Sequence, residues 1–183
     1  MNQSERRLFL IQSLLAERPS CRKQEIPADA QRQKVLLRGL MNVRSPRAIA
    51  PEFWEVQGAY LQAETAEKGI TDINDLSPVQ PGLYLWQGDI TTLKCDAIVN
   101  AANSGMTGCY VPNHRCIDNA IHTYAGVELR LACEALMEQQ GYAKSPLIFE
   151  SASRQIRGLV FWVSVFGQRP PVWRPFCIGS TTN

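Results

Sequence analysis

Apolar residues recur at helical spacing over positions 1–75, and the period then shortens. The first stretch reads as three helices. Ser4 is the candidate N-cap of the first, whose stripe is Leu8, Ile11, Leu14 and Leu15. The second begins near Pro27 and Asp29 and turns Val35, Leu36, Leu40 and Met41 inward. The third starts after Pro51 with Phe53, Val56, Tyr60 and Leu61 on its buried side, and Arg44–Pro51 is the connection before it. Beyond Ser77, a turn at Pro78, Pro81 and Gly82 precedes a predicted strand, Leu83–Gln87, closed by Gly88 and Asp89. Asp96–Asn100 is an almost wholly apolar second strand, the kind buried on both faces beneath helices. Residues 103–116 are a loop of small and polar groups. Helical stripes resume with Ile117, Ala120, Ile121 and Tyr124, and after Gly126 with Leu129, Ala132, Cys133 and Leu136. Strands alternating with helices predict an α/β layered fold.

From about Gly141 the periodicity fades. Leu159–Phe166 is an apolar, β-prone run and an aggregation hazard when unpaired. Pro170, Pro171 and Pro175 after it oppose a helix of useful length. Nothing further supplies the strands and helices that such a sheet needs. The division that follows is 1–77 as a helical extension, 78–143 as the first half of an α/β sheet, and 144–183 as a divergent tail. The tail is expected to pack poorly and to be open to trypsin at Lys144, Arg154 and Arg157.

The chain has 183 residues, 45% hydrophobic and 20% charged, which is globular composition for one domain. Its net charge of +2 sits in the tail, where Lys144, Arg154, Arg157, Arg169 and Arg174 face only Glu150. That excess is too small to argue for nucleic acid. The apolar run Leu8–Leu15 is broken by Gln12 and Ser13 and lacks a small-residue cleavage site, so it reads as a helix face and not as a secretory leader. No run is long enough to span a membrane. A reduced, cytoplasmic setting is the default, and there clustered cysteines suggest metal and not disulfides.

One such cluster stands out. Cys109, His114 and Cys116 place two thiols and an imidazole within eight residues, a donor set suited to Zn2+ with a fourth position open. The plainer alternative is two buried thiols beside an incidental surface histidine. Cys21, Cys95, Cys133 and Cys177 have no such neighbours and read as ordinary core or surface thiols. A second group, Asp89, Asn100 and Asn103, follows the two predicted strands, where ligands of open α/β sheets sit. Asp89 can accept from an exocyclic amine, and Asn103 can bind a sugar hydroxyl. Equally, Asp89 can cap a turn and Asn103 can form an Asx-turn. The loop Ser104–Gly108 offers amides to phosphates, a weak signal alone.

Together QGDIT (Gln87–Thr91), DAIVNAANS (Asp96–Ser104), GCYVPNHRCIDNAIH (Gly108–His122) and AGVELRLAC (Ala125–Cys133) resemble the zinc-containing class of the macrodomain family, the protein-ADP-ribose hydrolases. The likeness covers residues 1–143. It implies a three-layer α/β/α sheet behind a helical extension, with the second half of the fold missing. It also implies ADP-ribose, or an ADP-ribosylated protein, as ligand and removal of ADP-ribose from side chains as reaction. On matching positions, Asp89 and the Ile90 amide would hold adenine, and Asn103 the distal ribose. Cys109, His114 and Cys116 would bind zinc, and Cys116, Ile117 and Asp118 would open a helix against the phosphates. Asn103 and Asp118 are the catalytic candidates, Asp118 as base, although a first-turn carboxylate that favours the helix dipole explains it as well. A sirtuin and a lipoyl-carrier-like protein act with relatives of this class and are the implied partners, with no nucleic acid and no membrane. Two departures stand out. Arg115 replaces a glycine of the family pattern and would be strained if that position were left-handed. After Ala143 the second phosphate loop, of the Ser-Thr-Gly-aromatic-Gly type, is absent, the kind of change a truncated or shifted reading frame leaves.

Overall fold

The computed structural model describes residues 1–18, 24–95, 97–103, 105–140, 147–151 and 158–164, with backbone alone for 140 and the last two stretches. Cys21, Asp96, Ser104, Lys144, Arg154, Arg157, Cys177 and the prolines 170, 171 and 175 lie outside the described residues.

Three helices open the chain: α1 (Gln3–Ala16), α2 (Ala30–Asn42) and α3 (Pro51–Lys68). Ser4 is not the cap of α1. Asn2 accepts from the Glu5 amide while the Glu5 carboxylate accepts from the Asn2 amide, a reciprocal box that starts the helix earlier. Asp29 caps α2 and Pro51 stands in the first turn of α3, as the sequence suggests. The buried face of α2 is Gln33, Leu37, Leu40 and Met41. Val35, expected inside, is 48% exposed because Leu37 holds the inward position. Leu10, Ile11, Leu14, Leu37, Phe53, Tyr60 and Leu61 form one apolar cluster, and it takes in Val127 and Tyr124 from much later in the chain. Each such side chain contributes about 1.5–3 kcal/mol on full burial.

Short strands follow. β1 (Thr71–Asp72) pairs in parallel with a later β4 (Leu93–Lys94), while β2 (Pro78–Gln80) and β3 (Leu83–Tyr84) form a hairpin about Pro81 and Gly82. The predicted strand Leu83–Gln87 thus ends at Tyr84. Its partner is the segment just before it, so the turn limits the length of the ladder.

β5 (Ala97–Ala102) leads to α4 (Ile117–Ala125) and α5 (Val127–Gln140), then β6 (Leu147–Ser151) and β7 (Gly158–Ser164). The sheet order is β5-β7-β6, with β7 parallel to β5 and antiparallel to β6. The apolar run near residue 159 therefore finds a partner, and β6 is a strand that the sequence reading missed. Asp89 and Asn103 do not follow adjacent strands, since β3 and β5 lie in different sheets.

Burial along β5 alternates: Ile98, Asn100 and Ala102 are buried, whereas Val99 is 47% exposed. The expectation of burial on both faces fails for this strand. Ile98 and Ala102 pack with Ile121, Ala125, Leu129, Cys133 and Met137 of α4 and α5, which cover one face only. The result is a mixed α/β fold with N-terminal helices and a small sheet. No described helix is long and apolar enough to cross a membrane.

Candidate metal centre

The chain leaves β5 through a tight turn. Asn103 Oδ1 accepts from the Gly105 amide at 2.9 Å, an Asx-turn, and its Nδ2 donates to the Gly108 carbonyl at 3.2 Å. Gly108 has φ +89°, and a Cβ there would stand 2.7 Å from the His122 ring and 3.0 Å from an Arg130 nitrogen. This position requires glycine. It delivers the next residue, Cys109, to the start of an irregular loop that ends at Cys116, the N-cap of α4.

Within that loop the donor atoms of Cys109, His114 and Cys116 all lie within 4.8 Å of one another, and Cys109 Sγ is 3.5 Å from His114 Nδ1. Tetrahedral zinc, with bonds of about 2.0–2.3 Å to nitrogen and sulfur, places its ligands about 3.5–3.8 Å apart. The donor set and its spacing fit a metal ion with one position left for another ligand. Burial pushes the Cys116 thiol up and the neighbouring Cys109 adds to it, while the Asn119 amide pulls the other way. A coordinating cation deprotonates such thiols outright. His114 is exposed, so the centre opens to solvent on that side.

Arg115 brings no backbone strain. The non-glycine residues with positive φ among the described residues are Met106 and Asn113, both at 56°, so the left-handed position of this loop falls on Asn113. Asparagine tolerates that conformation far better than arginine does.

Asp118 is buried at 4% exposure in the first turn of α4. Its Oδ1 accepts from Asn100 Nδ2 at 2.8 Å and lies 3.6 Å from His122 Nε2. Burial raises its pKa, and the Asn100 bond and the Arg130 charge oppose the rise. Burial and Arg130 drive His122 down to about 3, so the imidazole is neutral and its contact with Asp118 is not an ion pair. Arg130 donates to the carbonyls of Thr107, Met41, Asn42 and Arg44 and stacks at 4.1 Å on Tyr110, tying the loop to the end of α2.

Asp89 stands apart from this centre. Its Oδ1 accepts from the amide and hydroxyl of Thr91, capping a 3-10 turn at Ile90–Thr92, and its Oδ2 pairs with Lys68 Nζ at 2.8 Å. Burial acts upward on this carboxyl, but the bonds from Lys68 and Thr91 outweigh it and hold it below its ordinary value. Asp89 lines an open groove of about 550 Å³ with Lys68, Ile70, Trp86, Gln87 and Thr92, and no metal-loop residue lines it. Ile90 is buried with its side chain in the core under α4. The structure therefore brings Asn103, Cys109, His114, Cys116, Ile117 and Asp118 together at one end of β5 and α4. Asp89 lines a groove of its own, while the Ile90 side chain packs into the core with Ile117 and Ile121.

Residues 99–163 match the Macro domain family. A protein-ADP-ribose hydrolase from Treponema medium is 55% identical over 146 residues, covering 78% of this chain and 56% of the relative. A second, from Staphylococcus aureus (strain Mu50 / ATCC 700699), is 45% identical over 134 residues, covering 73% and 50%. Over residues 99–163 the chain is a Macro domain segment. It spans about half the length of the curated relatives it matches. A crystal structure of a Trypanosoma brucei macrodomain aligns with a TM-score of 0.45 at 23% identity, covering 72% of this chain and 58% of that one. The family match runs past Ala143, where the motif likeness was expected to end, and takes in β6 and most of β7.

Several polar residues of this macrodomain segment escaped the sequence reading: Asn119, His122 and Arg130, with Arg38 and Asn42 from α2. The signal was present on α4, where Asp118, Asn119, His122 and Thr123 are polar yet buried. A nine-residue helix carrying four such groups must hydrogen-bond them internally.

Proposed function

We propose that this chain carries the zinc- and ADP-ribose-binding part of a hydrolase that removes ADP-ribose from modified protein side chains. One observation carries the reading. In a relative of protein-ADP-ribose hydrolases, three metal-capable donor atoms lie within 4.8 Å of one another, and Asn103 is hydrogen-bonded to the residue just before the first of them. The sugar-binding amide and the metal site are neighbours.

In this reading Cys109, His114 and Cys116 hold zinc, which when bound supplies Lewis-acid polarisation of an oxygen at the open position. Asn103 orients the distal ribose by redirecting the amide that now meets Gly108. The amides of Cys116, Ile117 and Asp118 open α4 toward the pyrophosphate. Asp118, its pKa raised by burial, acts as proton acceptor from the first turn of α4. Asp89 and the Ile90 amide receive adenine once Lys68 yields. ADP-ribosylated protein is the substrate, and a sirtuin and a lipoyl-carrier-like protein are the proposed partners. The proposed organisation keeps 1–77 as a helical extension and 78–143 as the first half of a three-layer sheet, onto which β6 and β7 of the divergent tail, 144–183, pair.

Binding without turnover is the second reading. One observation favours it: the Asp118 carboxylate is turned to Asn100. Elemental analysis and ADP-ribose release from a modified peptide decide between them. Near-stoichiometric zinc that falls sharply in Cys116→Ser, with release of ADP-ribose, supports the hydrolase. Zinc unchanged by that substitution sinks the metal assignment, and zinc with ADP-ribose bound but never released selects the second reading.

A further inference from the structure

We infer that α2 positions the metal loop, with Asn42 and Arg38 as its positioning residues; this rests on the metal reading above. The segment between Cys109 and Cys116 contains neither helix nor strand, so hydrogen bonds to its neighbours must set the spacing of its ligands. Asn42 is buried. Its Oδ1 accepts from the Asn113 amide at 2.9 Å, at the left-handed residue immediately before His114. Its Nδ2 donates to Thr123 Oγ1 at 2.9 Å, which fixes the amide's orientation.

Arg38 Nη2 donates to the His114 carbonyl at 3.1 Å and to Asn119 Oδ1 at 2.9 Å. Asn119, fully buried, passes that contact on. Its Nδ2 donates to the Cys109 carbonyl at 3.5 Å and the Val111 carbonyl at 3.1 Å, and its amide donates to Cys116 Sγ at 3.4 Å. One chain of bonds beginning at Arg38 thus meets all three ligand residues. The approach is close: a Cβ on Gly39 would stand 3.0 Å from Asn113 Nδ2 and 3.7 Å from Pro112 Cβ. Neither Asn42 nor Arg38 touches a donor atom. Their part is to order the loop before metal arrives, so that binding does not have to supply that ordering free energy.

The test measures zinc affinity of the full chain by competition with a chromophoric chelator, and the visible spectrum of the cobalt-substituted protein. Asn42→Ala and Arg38→Met are compared with Leu14→Ala, which empties a buried apolar site in α1 outside this chain of hydrogen bonds. Asn42→Ala and Arg38→Met should weaken zinc about tenfold to a hundredfold, the range for groups that support metal ligands, and alter the cobalt spectrum. Leu14→Ala should lower the melting temperature yet keep affinity and spectrum unchanged below the melt. Arg38 is only partly buried, so its variant carries the test should Asn42→Ala fail to fold. Wild-type affinity in Arg38→Met, or an equal loss in Leu14→Ala, overturns the inference while the metal reading stands. Absence of zinc from the unsubstituted protein sinks the metal reading and this inference with it.

Discussion

At the scale of single residues, charge and burial decide what each candidate can do. Asp89 keeps a depressed pKa because Lys68 and Thr91 outweigh burial, so it is a carboxylate at neutral pH and an acceptor for an amine. Asp89→Ala should weaken ADP-ribose binding by about 1–3 kcal/mol, the scale of a lost hydrogen bond to a charged group, as calorimetry would read it. Equal affinities would remove Asp89 from the site. His122 behaves in the opposite sense to a surface imidazole. Its folded pKa of about 3 lies below the ordinary 6.5, so its stabilising contribution is present above pH 6.5 and is lost as pH falls toward 3. Acidification from pH 6.5 to 5 should therefore remove up to about 2 kcal/mol of stability, at about 1.4 kcal/mol per unit. Asp118, raised by burial, has the opposite sign and offsets part of that loss at the acid end. Denaturant melts across this range should show a flatter pH slope in His122→Asn. An unchanged slope would mean that the imidazole titrates normally.

At the scale of elements, the Cys109–Cys116 loop is built from its two ends. Gly108 turns the chain against His122 and Arg130, and Cys116 caps α4 with its sulfur. Gly108→Ala meets both a positive φ and a clash, so it should destabilise the protein by about 1–3 kcal/mol and disturb Cys109. A thermal melt and a zinc titration would show both effects, and a wild-type melt would mean that the turn relaxes freely. Helix existence and type were legible in the sequence because long apolar periods carry their own signal. The starts of α2 and α3 were legible for a local reason too, since Asp29 and Pro51 act on the turn that follows them. The start of α1 was misplaced because Ser4 and Asn2 are both good caps, and only the reciprocal bond with Glu5 separates them. β2, β3 and β6 were missed or misjudged because runs this short have no period to read.

At the scale of the whole molecule, two apolar clusters meet along α4 and α5. Val127 and Tyr124 join the helical cluster, while Ile121, Ala125 and Leu129 join the one beneath β5. Gln57 of α3 bonds the Val127 amide and the Glu128 carboxylate, and Lys68 reaches both Asp89 and the face of Tyr124. β7 is the middle strand of the sheet, so each of its amides faces β5 or β6. Val160→Pro removes one such donor and should lower stability by about 1 kcal/mol or more, with loss of strand signal in circular dichroism. An unaltered melt would mean that β7 adds nothing to the fold. The residues by themselves determined the helical extension, the donor set of Cys109, His114 and Cys116, and the likeness to macrodomains, because spacing along the chain is a local property. They could not determine which side chains face one another across long separations. Folding alone turned Asp118 to Asn100, gave Asp89 to Lys68, and set α2 against the metal loop. The first two pairings join groups 18 and 21 residues apart and the third joins residues 71 apart, and only packing in three dimensions decides which polar groups meet.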